Sequence, residues 1–258
     1  LLVSLEIEKP DIKPTDIKRI SGVDVGRRYL AVETDTYNQT SFYNGKSTIH
    51  KAEHYQRRRK SLQRKGTRSA KRKLKTLSGR ERRFRADVNH QVSKRIAKSN
   101  SLIGLEDLTH IRERTNPHLK GKKASKKQKK ANRKQTSWSF AELQSLIDYK
   151  AVLNDSLAIK VDADYTSQSC PHCGHTSKRN RPNKGLTFHC ENCGFNLHAD
   201  LVGARNIAMR TLLVRQDWTS TGSLSACPDV SSDEAKAMRR SWFMELRWTA
   251  ETSQGAVI

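Results

Sequence analysis

Four of the five cysteines fall into two identical short pairs, Cys170-Pro171-His172-Cys173 and, sixteen residues further on, Cys190-Glu191-Asn192-Cys193. Two tight knuckles at this spacing can present four thiolates tetrahedrally to one zinc ion. Gly174 and Gly194 each follow the second cysteine of a pair, where such a knuckle needs a residue tolerant of positive φ. Two structural disulfides would not normally persist inside a cell, and buried metal-free thiols have no reason to repeat the pair. With Cys170, Cys173, Cys190 and Cys193 all engaged, no position is left for water, so the zinc is expected to stabilise a small ribbon rather than perform chemistry. His172, His175 and His189 are redundant as ligands, and Cys227, far away in a Ser-rich stretch, reads as an incidental free thiol.

Charge narrows the class of partner. Fifty Lys and Arg against 26 Asp and Glu leave the 258-residue chain at +24, which does not fit an enzyme of neutral small molecules and calls for an anionic partner. The excess is concentrated: residues 51–100 carry +16 and residues 112–134 carry +10, leaving the remainder at −2. A near-neutral body with two basic blocks suits nucleic acid, because each phosphate met by Lys or Arg releases condensed counterions. An apolar fraction of 34% still supports a core once those blocks are exposed. No apolar run approaches the ~18 to 20 residues of a membrane span. The opening residues also lack the basic flank and apolar stretch of a signal peptide. The expectation is a cytoplasmic, nucleoid-associated protein without a membrane or small-molecule partner, and a first residue of Leu rather than Met suggests a fragment.

Hydrophobic patterning gives a strand and helix order. Ile20 to Gly26 reads as a buried strand with Asp24 in its middle, followed by strands at Leu30–Thr34 and Thr40–Tyr43 and a turn at Asn44-Gly45. A basic helical hairpin is expected over ~51–98, broken at Ser78-Gly79. Phe84, Val88, Val92 and Ile96 form the packing stripe of its second helix. The second basic block, ~112–136, has no apolar period and reads as a loop. Ser101 to Leu108 is an apolar strand ending in acids; parallel pairing with the first strand would set Glu106 beside Asp24. A helix over 138–152 and a strand over 157–161 lead to the ribbon. Beyond it, Asn196 to Asp200 opens a last helix with Asp200 in its first turn. From residue 214 the chain reads as a flexible tail with a short helix near Asp233 to Leu246, and Trp218, Trp242 and Trp248 as local packing.

Taken one at a time, Asp24, Glu106 and Asp200 have ordinary explanations as a turn residue, a solvated strand end and a helix N-terminal charge. On two strands and a helix of one mixed α/β sheet, they are also what a pair of hard divalent ions needs, with Mg²⁺ or Mn²⁺ as the natural occupants.

Four segments in order, Gly22-Val23-Asp24-Val25-Gly26, Gly104-Leu105-Glu106-Asp107-Leu108, Tyr165-Thr166-Ser167-Gln168-Ser169-Cys170-Pro171-His172-Cys173-Gly174 and His198-Ala199-Asp200-Leu201-Val202-Gly203-Ala204-Arg205-Asn206-Ile207, closely resemble the motifs of the TnpB (OrfB) family of transposon-encoded proteins, relatives of type V CRISPR effector nucleases. The resemblance covers residues ~20 to 210. It implies an RNase H-like (RuvC) fold with an inserted basic hairpin and zinc ribbon. The first part of that domain would occupy 20–164, the ribbon 165–195, the last helix 196–213 and a tail 214–258, with 1–19 the remnant of an upstream lobe. It implies further that Asp24, Glu106 and Asp200 are catalytic acids holding Mg²⁺, that the four cysteines hold Zn²⁺, and that the chain is an RNA-guided DNA endonuclease, of a kind long labelled transposase, with DNA and a guide RNA as partners. Val202 departs from the Asn that many relatives carry two positions after the last acid. The competing readings are a non-catalytic zinc-ribbon nucleic-acid binder, an inactive fragment, and a strand-transfer enzyme using the same acids.

Overall fold

The computed structural model describes residues 11–109, 140–182 and 185–224, together with residues 125, 238, 241 and 244–248. Apart from Ser125, the expected basic loop lies outside the described residues, as do Cys227, Trp242 and most of the expected helix near Asp233 to Leu246.

Three strands open the fold as a meander, β1 (Arg19–Asp24), β2 (Tyr29–Asp35) and β3 (Thr40–Asn44), followed by the long helices α1 (Lys46–Lys65) and α2 (Arg68–Ile96). After them come β4 (Ser101–Glu106), α3 (Phe140–Val152), β5 (Leu157–Val161), the short strands β6 (Thr187–His189) and β7 (Asn196–His198), and α4 (Ala199–Thr221). The first five strands form one mixed sheet in the order β3-β2-β1-β4-β5, with β1, β4 and β5 parallel and β2 antiparallel to both neighbours. β4 is covered on both faces, and its run of Leu102, Ile103 and Leu105 is continuously apolar, as a central parallel strand requires.

The two faces have separate cores. On one, Val23, Ile103 and Leu105 meet Val92 and Ile96 of α2 and Leu143 and Ile147 of α3. On the other, Ile20, Leu102 and Ile159 meet Ile207 and Trp218 of α4. Each such side chain removed from water contributes about 1.5–3 kcal/mol before entropy is counted. The second face is unusually close. A Cβ added at Gly22 would lie 2.2 Å from the Ala204 carbonyl oxygen, and one at Gly104 would lie 1.8 Å from Thr211 Oγ1. Glycine at both positions lets α4 rest directly on the backbone of two adjacent strands.

Several expectations change in detail. The hairpin breaks at Gly66-Thr67 rather than Ser78-Gly79, because Gly66 takes a left-handed φ of 65° and the Thr67 hydroxyl caps the next helix by accepting from Ala70 N–H. α2 runs unbroken through Gly79, which costs propensity but demands no special backbone. Asp24 ends its strand instead of sitting in the middle, since Gly26 N–H turns back to the Leu30 carbonyl. Asn196 to His198 pairs with Thr187 to His189 as a strand, so the last helix starts at Ala199. That helix continues to Thr221 and buries Trp218, so residues 214–221 are ordered helix and not part of a flexible tail. Among the described residues, no helix is long and apolar enough to cross a membrane.

Candidate functional site

β1 and β4 pair in parallel with Val23 opposite Leu105, so Asp24 and Glu106 leave the sheet side by side at the carboxyl ends of neighbouring strands. α4 crosses above them with Asp200 in its first turn. The approach depends on Gly203, where an added Cβ would come within 3.2 Å of the Asp24 carboxyl carbon. His198 caps the helix by accepting the Asp200 N–H at its Nδ1, 3.3 Å away, and its ring meets the Tyr29 and Phe42 rings edge-on at 5.3 and 5.2 Å. An aromatic triangle of Tyr29 on β2, Phe42 on β3 and His198 at the end of β7 thereby fixes where α4 begins.

Burial pushes the Asp24 carboxyl well above its ordinary range, Glu106 and Asp200 push it further, and Arg181 opposes them. The three acids thus share one electrostatic field. Glu106 accepts from the Thr166 hydroxyl at 2.9 Å, while its backbone carbonyl accepts from Gln144 Nε2 at 2.8 Å. Asp107 instead turns to its own loop and accepts the Thr109 N–H at 3.0 Å, which separates its role from that of its neighbour.

Sequence reasoning missed Arg181. It follows the 3-10 turn at Lys178–Asn180, its guanidinium lies 3.6 Å from Asp200 Oδ1, and its buried Nε has no hydrogen-bond partner among the described residues. In the sequence it is one cation among Lys178, Arg179 and Arg181, and no local pattern marks it out.

The four cysteines do converge. Among the described residues they form the one His, Cys, Asp or Glu cluster whose donor atoms all lie within 4.8 Å of one another. Gly174 and Gly194 take φ of 76° and 71°, as the knuckles require. Their N–H groups donate to the Cys170 and Cys190 carbonyls at 2.8 and 2.9 Å, closing two equivalent turns. Burial pushes the Cys170 thiol up; for Cys173 burial also acts upward but is outweighed by hydrogen bonds from the His175 backbone, Asn192 and neighbouring thiols, leaving it at about 6. Four sulfurs with N–H donors around them fit a borderline-soft cation, so the cluster could hold a metal such as zinc. Asn180 joins the knuckles, donating to the Gln168 and His175 carbonyls at 2.9 and 3.0 Å and accepting the Glu191 N–H at 3.1 Å. Phe188, Cys170 and Cys190 pack on Ala199 and Val202, so the first turn of α4 is part of the ribbon's core.

The described part of the basic surface is the α1–α2 hairpin. Thr48 is the one buried residue of α1, and Arg57, Arg58, Lys60, Lys71, Arg72 and Lys75 all face solvent. Arg59 and Arg85 are held by the buried Glu81, which ties the two helices together. Trp248 does not pack locally as expected but meets distant segments: its backbone N–H donates to the Pro171 carbonyl of the first knuckle at 2.7 Å, and its ring lies under the Arg205 guanidinium of α4 at 5.2 Å.

Two family models match the chain. That of the OrfB proteins of IS605 elements, described as "Probable transposase", matches residues 3–116, and that of the Cas12f1-like TNB domain matches residues 140–207. TnpB-like protein MJ0751 of Methanocaldococcus jannaschii is 29% identical over 77% of this chain and 71% of its own length. The CRISPR-associated endodeoxyribonuclease Cas12f1 of Sulfoacidibacillus thermotolerans is 34% identical over 49% of this chain, but the match spans only 27% of that protein. The fold is also that of a Cas12f1 solved by cryo-electron microscopy in complex with sgRNA and target DNA, with a TM-score of 0.55 and 23% identity over 79% of this chain and 52% of the other.

Proposed function

We propose that this chain, a homologue of the TnpB-like and Cas12f proteins, is a metal-dependent DNA endonuclease of the transposon-associated, RNA-guided kind. The observation that carries the reading is the placement of Asp24 and Glu106 side by side at the carboxyl ends of β1 and β4, with Asp200 in the first turn of α4 close enough that, after burial, both neighbouring acids push the Asp24 carboxyl further above its ordinary range. Three acids gathered against one guanidinium are costly unless cations join them. The sheet order β3-β2-β1-β4-β5 with an antiparallel β2 supports the RNase H-like (RuvC) reading of the scaffold. Asp24, Glu106 and Asp200 would hold a pair of Mg²⁺ or Mn²⁺ ions, which supply an activated water and a clamp on the leaving oxygen in phosphodiester hydrolysis. The donor atoms of the three acids do not all lie within 4.8 Å of one another, so they would share out the ligation of a metal pair rather than enclose a single ion. Arg181 limits the repulsion among the acids, and its partly exposed guanidinium would meet a phosphate oxygen.

Around this centre the four cysteines would hold a structural Zn²⁺ that shapes the ribbon and, through Val202 and Ala199, the start of α4. The hairpin cations would run along the nucleic-acid backbone, DNA and guide RNA alike. The test is Mg²⁺- or Mn²⁺-dependent cleavage of labelled single-stranded and duplex DNA, with and without RNA, at one fixed salt concentration. Cleavage that disappears in Asp24→Ala supports the reading. Zinc-loaded protein that binds nucleic acid yet cuts nothing, in either version, overturns it in favour of a binding module.

A further inference from the structure

The segment Tyr165-Thr166-Ser167-Gln168-Ser169 leads into the first knuckle but supplies none of its ligands, and Asn206 and Arg210 lie on α4 beyond the acid. Their contacts form one continuous arrangement. Thr166 is buried, with its hydroxyl 2.9 Å from Glu106 Oε1 and 3.1 Å from the Ala163 carbonyl. One proton cannot serve both fully; the carboxylate is the nearer and, when ionised, the stronger acceptor. The loop that carries this hydroxyl is strained, because Tyr165 stands at a left-handed φ of 62°, unfavourable for a bulky side chain. Such a backbone persists only where its surroundings over-determine it.

α4 provides that determination. Both amide hydrogens of the buried Asn206 are spent on the loop, on the Thr166 carbonyl at 2.6 Å and the Ser169 carbonyl at 2.9 Å. One turn further along, the buried Arg210 donates to the Asp162 carbonyl and, at 2.6 Å, to the Asp164 carbonyl. Four carbonyls on either side of Tyr165 are therefore gripped by two side chains of the helix whose first turn bears Asp200.

We propose that Thr166 is the positioning residue for Glu106, and that Asn206 and Arg210 hold it in place, so that α4 sets both its own acid and the orientation of the acid on β4. This rests on the metal-site reading above. It gives a task to the residues between the strand acids and the cysteines, and makes the loop before the ribbon part of the metal site's support.

The experiment measures Mn²⁺ binding to the full chain without nucleic acid, by electron paramagnetic resonance of the free ion, alongside zinc content, thermal melting and cleavage. Thr166→Val is expected to weaken Mn²⁺ binding by about tenfold and slow cleavage by a similar factor, the usual range for losing a partner of a ligating carboxylate, with zinc content unchanged. Thr166→Ser, which keeps the hydroxyl, should restore both, a rescue that a packing role for the methyl group would not give. Thr166→Ala, which adds no apolar bulk, replaces the Val variant if the latter melts early. Mn²⁺ binding and cleavage at the parent level in both the Val and Ala variants, while Glu106→Gln loses them, overturns the positioning role alone. Mn²⁺ binding that survives both Asp24→Asn and Glu106→Gln overturns the metal site itself, and the positioning role with it.

Discussion

Glu33 shows how a single side chain can make this fold sensitive to pH. It is wholly buried on β2, salt-bridged to Arg19 at 2.9 Å and accepting from the Tyr43 hydroxyl at 3.1 Å. Burial nevertheless pushes its carboxyl above the ordinary 4.5, with Arg19, Lys98 and the Tyr43 bond only partly opposing it. The folded state therefore holds a proton that the unfolded chain releases. This contribution to stability is complete below 4.5 and is lost as pH rises through the raised folded value. Thermal melts of Glu33→Gln and the parent across that window should show the parent's decline and a flatter profile for the variant; parallel profiles would refute the assignment. Arg181 belongs to the same scale. Arg181→Gln should slow cleavage by roughly 10²-fold, the usual loss for a charged group facing developing phosphate charge, while zinc content and melting stay near parent values. A rate unchanged by the substitution would remove Arg181 from the site.

Among the elements, the hairpin break offers a direct comparison of two glycines. Gly66 sits at a φ of 65°, whereas Gly79 is inside α2, where an added Cβ meets nothing closer than Arg83 Nη1 at 3.6 Å. Gly79→Ala should accordingly stabilise the chain by about 0.5–1 kcal/mol, and Gly66→Ala should destabilise it by about 1 kcal/mol or more, both read from denaturant midpoints. The opposite signs would return the break to Ser78-Gly79. The ribbon makes a second test. Cys190→Ser should release the metal and, because Phe188 and Val202 share the cysteines' core, loosen the start of α4; full zinc retention would contradict the four-thiolate site. Val202, where many proteins of the resembled family carry Asn, is completely buried in that core, so here the position serves packing.

For the whole molecule the governing quantity is its charge of +24, and the natural measurement is the salt dependence of nucleic-acid binding. Replacing the exposed Arg57, Arg58 and Lys60 of α1 by Gln should lower the slope of log affinity against log salt by about two to three units, with the melting temperature little changed. An unaltered slope would take α1 off the nucleic-acid path. What the sequence determined by itself was local in origin. The knuckle spacing and its glycines, the apolar runs of the strands, the stripe on α2 and the acid in the first turn of α4 each follow from neighbours a few residues apart, and each is found in the fold. The parallel pairing that sets Glu106 beside Asp24 was legible too, because both strands end in acids after apolar runs. Other features were decided only by the tertiary structure. Arg181 beside Asp200, Thr166 on Glu106, and Asn206 and Arg210 on the loop before the ribbon depend on which distant segments face one another. That in turn depends on α4 lying against Gly22 and Gly104, a closeness set by the absence of two side chains on strands some eighty residues apart, which no window along the chain contains.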